Sequence, residues 1–213
     1  FTIYQLPITD INFQFDIKHL NYHRYMLDNV YAEFRSQKNH YIYVDTMSLA
    51  AAGGTMQMNG YFNGSNPNLI YFSPNVKFKN VDLDKLLFKF ENFGQDHVVS
   101  EQLHGKITGK LYGKLHMHTD MVPIIDDSEV HVDVEVVNGK LENYGPMEYI
   151  AEYFKDKNLS KVIFDTLRNH IDVTKGVTTI PNMLINFSLG FVEISGKQEM
   201  NFNFEYYLKV TVT

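Results

Sequence analysis

Hydrophobic and polar residues alternate along much of the chain, which is the pattern of a β-strand that buries one face. The longest alternation covers residues 103–119, where hydrophobic residues and glycines occupy the odd positions and mainly Lys, His and Thr the even ones. Fully extended, this segment would reach roughly 55 Å, whereas an average strand has only about 5–6 residues. A second long alternation covers residues 199–212 and places Phe202, Phe204 and Tyr206 on its hydrophobic side. The chain is therefore predicted to contain unusually long strands.

Further strands are predicted where the pattern of strand residues recurs over a shorter distance. They cover residues 11–17, 23–35, 41–50, 55–62, 69–79, 128–137, 162–173, 177–180 and 183–189. Gly53-Gly54 and Lys175-Gly176 predict turns between consecutive strands. Asn138-Gly139 is the dipeptide that type I′ hairpins favour, so it predicts that the chain reverses there and returns through residues 140–144. Residues 123–127 are expected to interrupt the strands, and Gly190 is expected to form a bulge.

Two segments change to the period of an amphipathic helix. In residues 82–93, Leu83, Leu86 and Leu87 fall at helical spacing and Asp82 is placed to cap the first turn. In residues 146–157, Pro146 suits the first turn and apolar residues again share one face. The sequence therefore predicts a mostly β protein with two short helices, whose long antiparallel strands form a curved sheet, a groove or an open sandwich. No linker is long enough to divide the chain, so residues 1–213 are predicted to be one domain.

The amino-acid composition narrows the range of possible functions. The 16 Phe and 14 Tyr suit strands, and the net charge of −6 argues against nucleic acid, which needs a concentrated excess of Lys and Arg. The absence of Cys excludes disulfides and thiolate metal sites. No segment approaches the ~20 apolar residues of a membrane-spanning helix. The chain opens inside a strand-like segment without an initiator Met, so we interpret it as a fragment of a longer protein.

An ordered set of segments from about residue 41 onward, covering roughly 170 residues, resembles the C-terminal region of the AsmA-like family. The segments are Val44–Gly60 with its Gly-Gly turn, the Asp-Leu-x-x-Leu-Leu helix of Asp82–Phe90, the repeated glycines of Leu103–Leu111, Val137–Met147 with Asn-Gly, and Ile180–Asn186 leading to Ile194–Gly196. None of these segments alone is specific to the family, and the resemblance rests on the order in which they occur.

The resemblance to this family, which includes AsmA and TamB, implies a bacterial envelope protein. Members are periplasmic β-grooves that are anchored in the inner membrane and are implicated in outer-membrane assembly and phospholipid movement. It implies phospholipid or another lipid as the ligand, the membrane as a partner through an N-terminal anchor outside this chain, and envelope assembly proteins as further partners.

A lipid conduit needs a continuous apolar surface, which acyl chains bind with the same free energy that drives core burial. The long strands supply ten candidate residues for this surface. They are Leu103, Ile107, Leu111, Leu115, Val130, Val132, Val134, Phe202, Phe204 and Tyr206. Gly105, Gly109 and Gly113 either leave room for an acyl chain or allow the strand to bend. The same apolar faces would also suit packing against another sheet or a helix.

The polar residues give no prediction of catalysis, a metal or a cofactor. His116-x-His118 with Asp120 lacks the fourth ligand usual for zinc, and the carboxylate pairs Asp126-Asp127 and Asp133/Glu135 have no catalytic frame around them. Lys106, Lys110 and Lys114 form a stripe that suits either anionic head groups or solvent. The protein is therefore predicted not to be an enzyme.

Two rival functions remain beside lipid binding. The first is a structural scaffold for outer-membrane protein assembly. The second is a carbohydrate-binding β-sandwich, which would require surface tyrosines grouped beside a carboxylate pair.

Overall fold

The computed structural model describes residues 2–5, 9–22, 25–89, 101–143, 148, 151–152, 155, 161–187, 190–199 and 203–212. Eleven strands and one α-helix form the regular structure of these residues. They are β1 (Ile11–Tyr22), β2 (Tyr25–Gln37), β3 (Tyr41–Ala51), β4 (Gly54–Asn63), β5 (Ile70–Asp82), α1 (Leu83–Lys89), β6 (Leu103–Met117), β7 (Pro123–Glu142), β8 (Lys161–Thr174), β9 (Val177–Phe187), β10 (Gly190–Glu199) and β11 (Phe204–Val212). Short 3-10 turns cover Ile3–Gln5 and Lys38–His40.

The strands form one open antiparallel sheet in which each strand pairs with its neighbours in the sequence, from β1 to β11. This confirms the prediction of a mostly β protein built from long antiparallel strands. β6 has 15 residues and β7 has 20, far above the average of about 5–6. The described residues contain no second sheet, so the form observed is an open sheet and not a sandwich.

The prediction of a hairpin at Asn138-Gly139 is wrong, because β7 runs through both residues. Asn138 does adopt the left-handed conformation, with φ of 52°, but the chain does not reverse. Gly139 instead pairs with Phe164 of β8, and the register with β6 shifts between His104 and Lys106. The dipeptide therefore forms a bulge inside a long strand. The interruption predicted at residues 123–127 does not end the strand, since β7 begins at Pro123, but the pairing with β6 is irregular there, with a register shift between Lys114 and His116.

The second long alternation is not one strand. Glu199 ends β10, β11 begins at Phe204, and the Glu199 N–H donates to the Asn203 carbonyl over 2.8 Å. A hairpin therefore divides residues 199–212, because alternation alone does not reveal where a turn falls.

The two short strands predicted at 177–180 and 183–189 are one strand, β9, which runs through Pro181. The register with β10 shifts at this point, between Ile194 and Gly196. Proline lacks the N–H that a regular ladder needs, and a bulge removes that need. The extra residue lies on β9, where Pro181 and Asn182 face the single residue Ser195 of β10. The bulge predicted at Gly190 is therefore wrong, since Gly190 begins β10 in regular pairing with Phe187.

Two predicted turns are confirmed as two-residue hairpins, although the first lies one residue earlier than Gly53-Gly54 because Gly54 begins β4. Ala52 and Gly53 have φ of 47° and 73° between β3 and β4, and Lys175 and Gly176 have φ of 51° and 73° between β8 and β9. Positive φ at both positions is the type I′ geometry, which fits the twist of the strands on either side.

The first predicted helix is confirmed as α1, while residues 90–93 lie outside the described part. Leu83 and Leu87 are buried, and the helix packs against β5 and β6. The second predicted helix, 146–157, lies mostly outside the described residues. Of its residues that are described, Glu148, Ala151 and Glu152 are helical. None of the described helices has the length and hydropathy needed to cross a membrane.

Two packed clusters lie at opposite ends of the apolar side of the sheet. The larger one surrounds α1 and includes Val81, Ile107, Val136 and Phe164. The smaller one contains Phe62 and Ile70, with Phe72 and Met117 against them. These two clusters leave an apolar surface of the sheet between them.

Candidate functional site

A continuous row of apolar side chains crosses the sheet between the two packed clusters. Strand pairing places Val76, Leu111, Val132 and Ile171 side by side on β5, β6, β7 and β8. The row continues in the other direction through Met58, Met47, Ala32 and Phe15, to the edge strand β1. We call these eight residues the apolar row. It crosses eight strands, which amounts to roughly 34 Å at about 4.8 Å per strand.

The apolar row is only partly covered. Apart from the buried Ala32, its members are half-buried or exposed, and Phe15 at the edge is 47% exposed. Among the described residues no second sheet lies over the row, and α1 packs at the end of the sheet where β5 stops and β6 starts. Neighbouring side chains therefore cover the row only in part, and it forms a partly open apolar surface.

The ten predicted site residues divide into three groups. Leu111, Leu115 and Val132 are half-buried, as an open apolar surface requires. Ile107 and Val130 are buried, and Leu103 and Val134 pack against the larger cluster, so these four belong mainly to the protein core.

The predicted residues of the terminal segment contribute less. Phe202 lies outside the described residues, and of Phe204 only the backbone is described, at the start of β11. Tyr206 is half-buried opposite Gly196, and its hydroxyl donates to Gln198 over 2.9 Å.

The glycines of β6 do not leave room for an acyl chain. A Cβ atom on Gly109 would lie 2.9 Å from the ring of Phe78, and one on Gly113 would lie 2.1 Å from the Glu129 carbonyl oxygen. Both glycines allow a neighbouring ring or strand to approach closely, so that alternative of the sequence analysis is wrong.

The opposite side of the sheet is polar and carries a row of aromatic rings that we call the tyrosine ladder. It consists of Tyr41, Tyr43, Tyr61 and Tyr71, whose successive ring centroids lie 6.2, 6.1 and 5.9 Å apart. The Arg35 guanidinium lies 4.9 Å from the ring centre of Tyr43, and the Lys114 ammonium lies 4.0 Å from that of Tyr71. These distances permit cation–π attraction.

The lysine stripe of β6 is not a free cationic surface. Lys106 lies 2.5 Å from the Asp82 carboxylate, Lys110 lies 3.1 Å from that of Asp133, and Lys114 covers Tyr71. Each ammonium group therefore has a partner within the sheet. This favours a structural role over the recognition of anionic head groups.

The predicted carboxylate pairs are also engaged separately. Asp133 bonds to Lys110 and His170, whereas Glu135 bonds to Arg168. The hydrogen bond from His170, together with Lys110, lowers the pKa of Asp133. A glycosidase acid needs a raised pKa, so the geometry of this pair gives no support for catalysis.

His116 and His118 do not gather ligands around them. The ring of His116 lies 6.0 Å from that of Tyr71, and His118 lies in the turn before β7. In the described residues, the group that combines several metal-type ligands is instead His131, His170 and Asp172 on β7 and β8. The sequence analysis did not identify this group, although both histidines precede an aspartate by two positions.

A depression of about 940 Å³ crosses β4 to β9 and is bordered mostly by residues of the polar side. They include Gln57, Lys77, Lys110, Asp133 and His170, which strand pairing aligns in one row. This depression therefore does not coincide with the apolar row.

Comparisons with known proteins leave the family open. No protein-family model matches the chain, and neither a curated protein nor a solved structure is significantly similar to it.

Proposed function

We propose that the apolar row binds the acyl chains of a lipid and guides them along the sheet, without chemical change. The observation that carries this proposal is the combination of length and exposure. Apolar side chains that are mostly half-buried cross eight strands in register, and the described residues contain no second sheet over them. Exposed apolar patches of this kind usually mark a binding surface.

The length of the row suits an acyl chain. Each leaflet contributes about half of the ~30 Å hydrocarbon core of a bilayer, so one acyl chain spans roughly 15 Å. The apolar row, at roughly 34 Å, is therefore long enough for a whole chain with room to slide.

The expected affinity suits transfer more than storage. Burial contributes about 0.8 kcal/mol per methylene, so about ten methylenes covered on one side only would gain on the order of 4 kcal/mol. That corresponds to a dissociation constant near 1 mM for one chain, and two chains held together would approach the micromolar range. Binding of this strength allows a lipid to enter and leave.

The cellular setting of the proposal comes from the likeness to AsmA-like proteins. On that basis the lipid is a phospholipid, the compartment is the bacterial periplasm, and the process is outer-membrane biogenesis. The membrane anchor and the assembly partners belong to the same proposal.

Native mass spectrometry of detergent-free protein mixed with excess phospholipid tests lipid binding, because a ligand of micromolar affinity is easily lost during purification. We expect a mass increment equal to a phospholipid, which Leu111→Gln in the middle of the row reduces. The matched control is Tyr112→Gln, which changes the adjacent residue on the opposite side and should retain the lipid. A lipid-free mass under gentle conditions would favour the scaffold function, in which a partner protein covers the apolar row.

The tyrosine ladder supports a second candidate function, carbohydrate binding on the polar side. Its four rings are half-buried and follow one another across three strands, which supplies the grouped tyrosines of this rival but not the carboxylate pair that it also required. The Arg35 guanidinium that lies over Tyr43 also bonds to a single carboxylate, that of Asp45, over 2.6 Å. Glycan-array binding that Tyr61→Ala abolishes and Leu111→Gln leaves intact would support it, and no binding to glycans would exclude it.

A further inference from the structure

Two His-x-Asp segments face each other on the polar side of the sheet, on the adjacent strands β7 and β8. They are His131-Val-Asp133 and His170-Ile-Asp172. Because the strands are antiparallel, His131 pairs with Asp172, and Asp133 pairs with His170. Each histidine therefore lies beside the aspartate of the opposite strand, and the four side chains form one compact group.

The two imidazoles converge on one carboxylate oxygen. Oδ1 of Asp172 lies 2.5 Å from Nδ1 of His131 and 2.9 Å from Nε2 of His170. The two rings are nearly parallel, with centroids 6.1 Å apart. One ligand atom from each of the three residues lies within 4.8 Å of the other two. Ligands of a tetrahedral zinc ion lie about 3.3 Å apart, so small side-chain shifts would complete such a set.

The outer nitrogen of each histidine is held by a second carboxylate. Nδ1 of His170 lies 2.6 Å from Oδ1 of Asp133, and Nε2 of His131 lies 3.1 Å from Oε1 of Glu129. Metal-binding histidines almost always have their other nitrogen bonded in this way, which fixes the ring orientation and raises the basicity of the ligating nitrogen. This arrangement at both histidines distinguishes the group from a simple acidic cluster.

From this geometry we propose that His131, His170 and Asp172 form a binding site for a divalent transition-metal cation, with Asp133 and Glu129 orienting the two imidazoles. Imidazole and carboxylate ligands suit Zn²⁺ best among the abundant divalent cations. Three carboxylates and one nearby ammonium, that of Lys110, give the surroundings a net negative charge. The site links β7 to β8 and leaves a coordination position toward solvent.

Calorimetric titration of the chelator-treated chain with ZnCl₂ tests the site. We expect one zinc ion per chain, with His170→Gln and Asp172→Asn each lowering the affinity at least about tenfold. The matched control is His19→Gln, because Nδ1 of His19 also lies 2.6 Å from an aspartate, Asp28, and no second histidine joins that pair among the described residues. Absence of zinc binding, or equal binding by the site variants, would overturn the proposal.

A second measurement needs no variant. Modification of the wild-type histidines by diethyl pyrocarbonate, mapped by mass spectrometry with and without zinc, reports on each side chain. Zinc should protect His131 and His170 while His19 continues to react. Protection of other histidines in their place, or no protection at all, would contradict the assignment.

Discussion

The ring of Phe164 lies directly against Gly139, so that a Cβ atom on the glycine would be only 1.9 Å from Cε2 of the ring. The two residues pair across β7 and β8 at the bulge that follows Asn138. Phe164 is buried in the larger cluster, so its ring has no free space into which to move. The absence of a side chain at residue 139 thus allows β7 to continue beyond the bulge.

Gly139→Ala should therefore lower the free energy of unfolding by about 1–3 kcal/mol, the usual cost of overpacking. Chemical denaturation measures the effect. In a Phe164→Leu background the same glycine substitution should cost clearly less, because the ring that it would contact is gone. An equal cost in both backgrounds would show that the ring contact is not responsible.

A substitution of Val81 tests whether the residues around α1 are packed at one end of the apolar side of the sheet. It is fully buried in the larger cluster, at the point where β5 leads into the helix, whereas Val122 is 52% exposed before β7. Val81→Ala should lower the free energy of unfolding by about 1.5–3 kcal/mol. Val122→Ala should change it by less than about 0.5 kcal/mol. Similar denaturation midpoints for the two variants would contradict the described packing.

Ser128 holds the irregular start of β7. It is 1% exposed, accepts the His116 N–H over 3.0 Å and donates to the Ile124 carbonyl over 2.6 Å. Ser128→Ala leaves both backbone groups without this partner and should cost about 1–3 kcal/mol of stability. Thermal unfolding compares it with Ser65→Ala in an exposed loop, which should have a much smaller effect. Equal effects would mean that water replaces the Ser128 hydroxyl.

Asp82 should make the stability of the α1 region depend on pH. Hydrogen bonds from Lys106 and then Lys85 lower the pKa of Asp82, whose ordinary value is 3.8. A carboxyl with a lowered folded-state pKa contributes stability above its unfolded-state pKa and loses it as the pH falls through the folded-state value. Denaturation of Asp82→Asn, Lys106→Gln and the double variant should therefore give a coupling that is smaller at pH 2 than at pH 7. A coupling that is the same at both pH values would contradict this.

The sequence predicted the sheet and most of its strands, because a period of two is a local property that burial of one face imposes. The turns at Ala52-Gly53 and Lys175-Gly176 also follow from local chemistry. Asn138-Gly139 has the same local preference, yet Phe164 on another strand decides the outcome there. A local pattern indicates that positive φ is favourable and does not say whether the chain reverses or forms a bulge.

The functional surfaces were only partly predictable for a related reason. Leu111 and Val132 were identified as apolar-face residues from alternation alone, but Ile107 belongs to the core because α1 packs at that end. The tyrosine ladder and the pairing of His131 with Asp172 depend on the register between strands. The sequence does contain two His-x-Asp segments at polar strand positions. They indicate a shared group of ligands only once β7 and β8 are known to be adjacent.

The most direct test of the lipid proposal uses the absence of Trp from the chain. Leu111→Trp places a single fluorophore in the apolar row, and Tyr112→Trp places one on the polar side of the same strand. Each variant is mixed with phosphatidylcholine vesicles whose acyl chains carry bromine, a contact quencher, and with unbrominated vesicles as the reference. We predict strong quenching of the tryptophan at residue 111 and little at residue 112. No quenching at residue 111, or equal quenching at both, would contradict the binding of acyl chains by the apolar row.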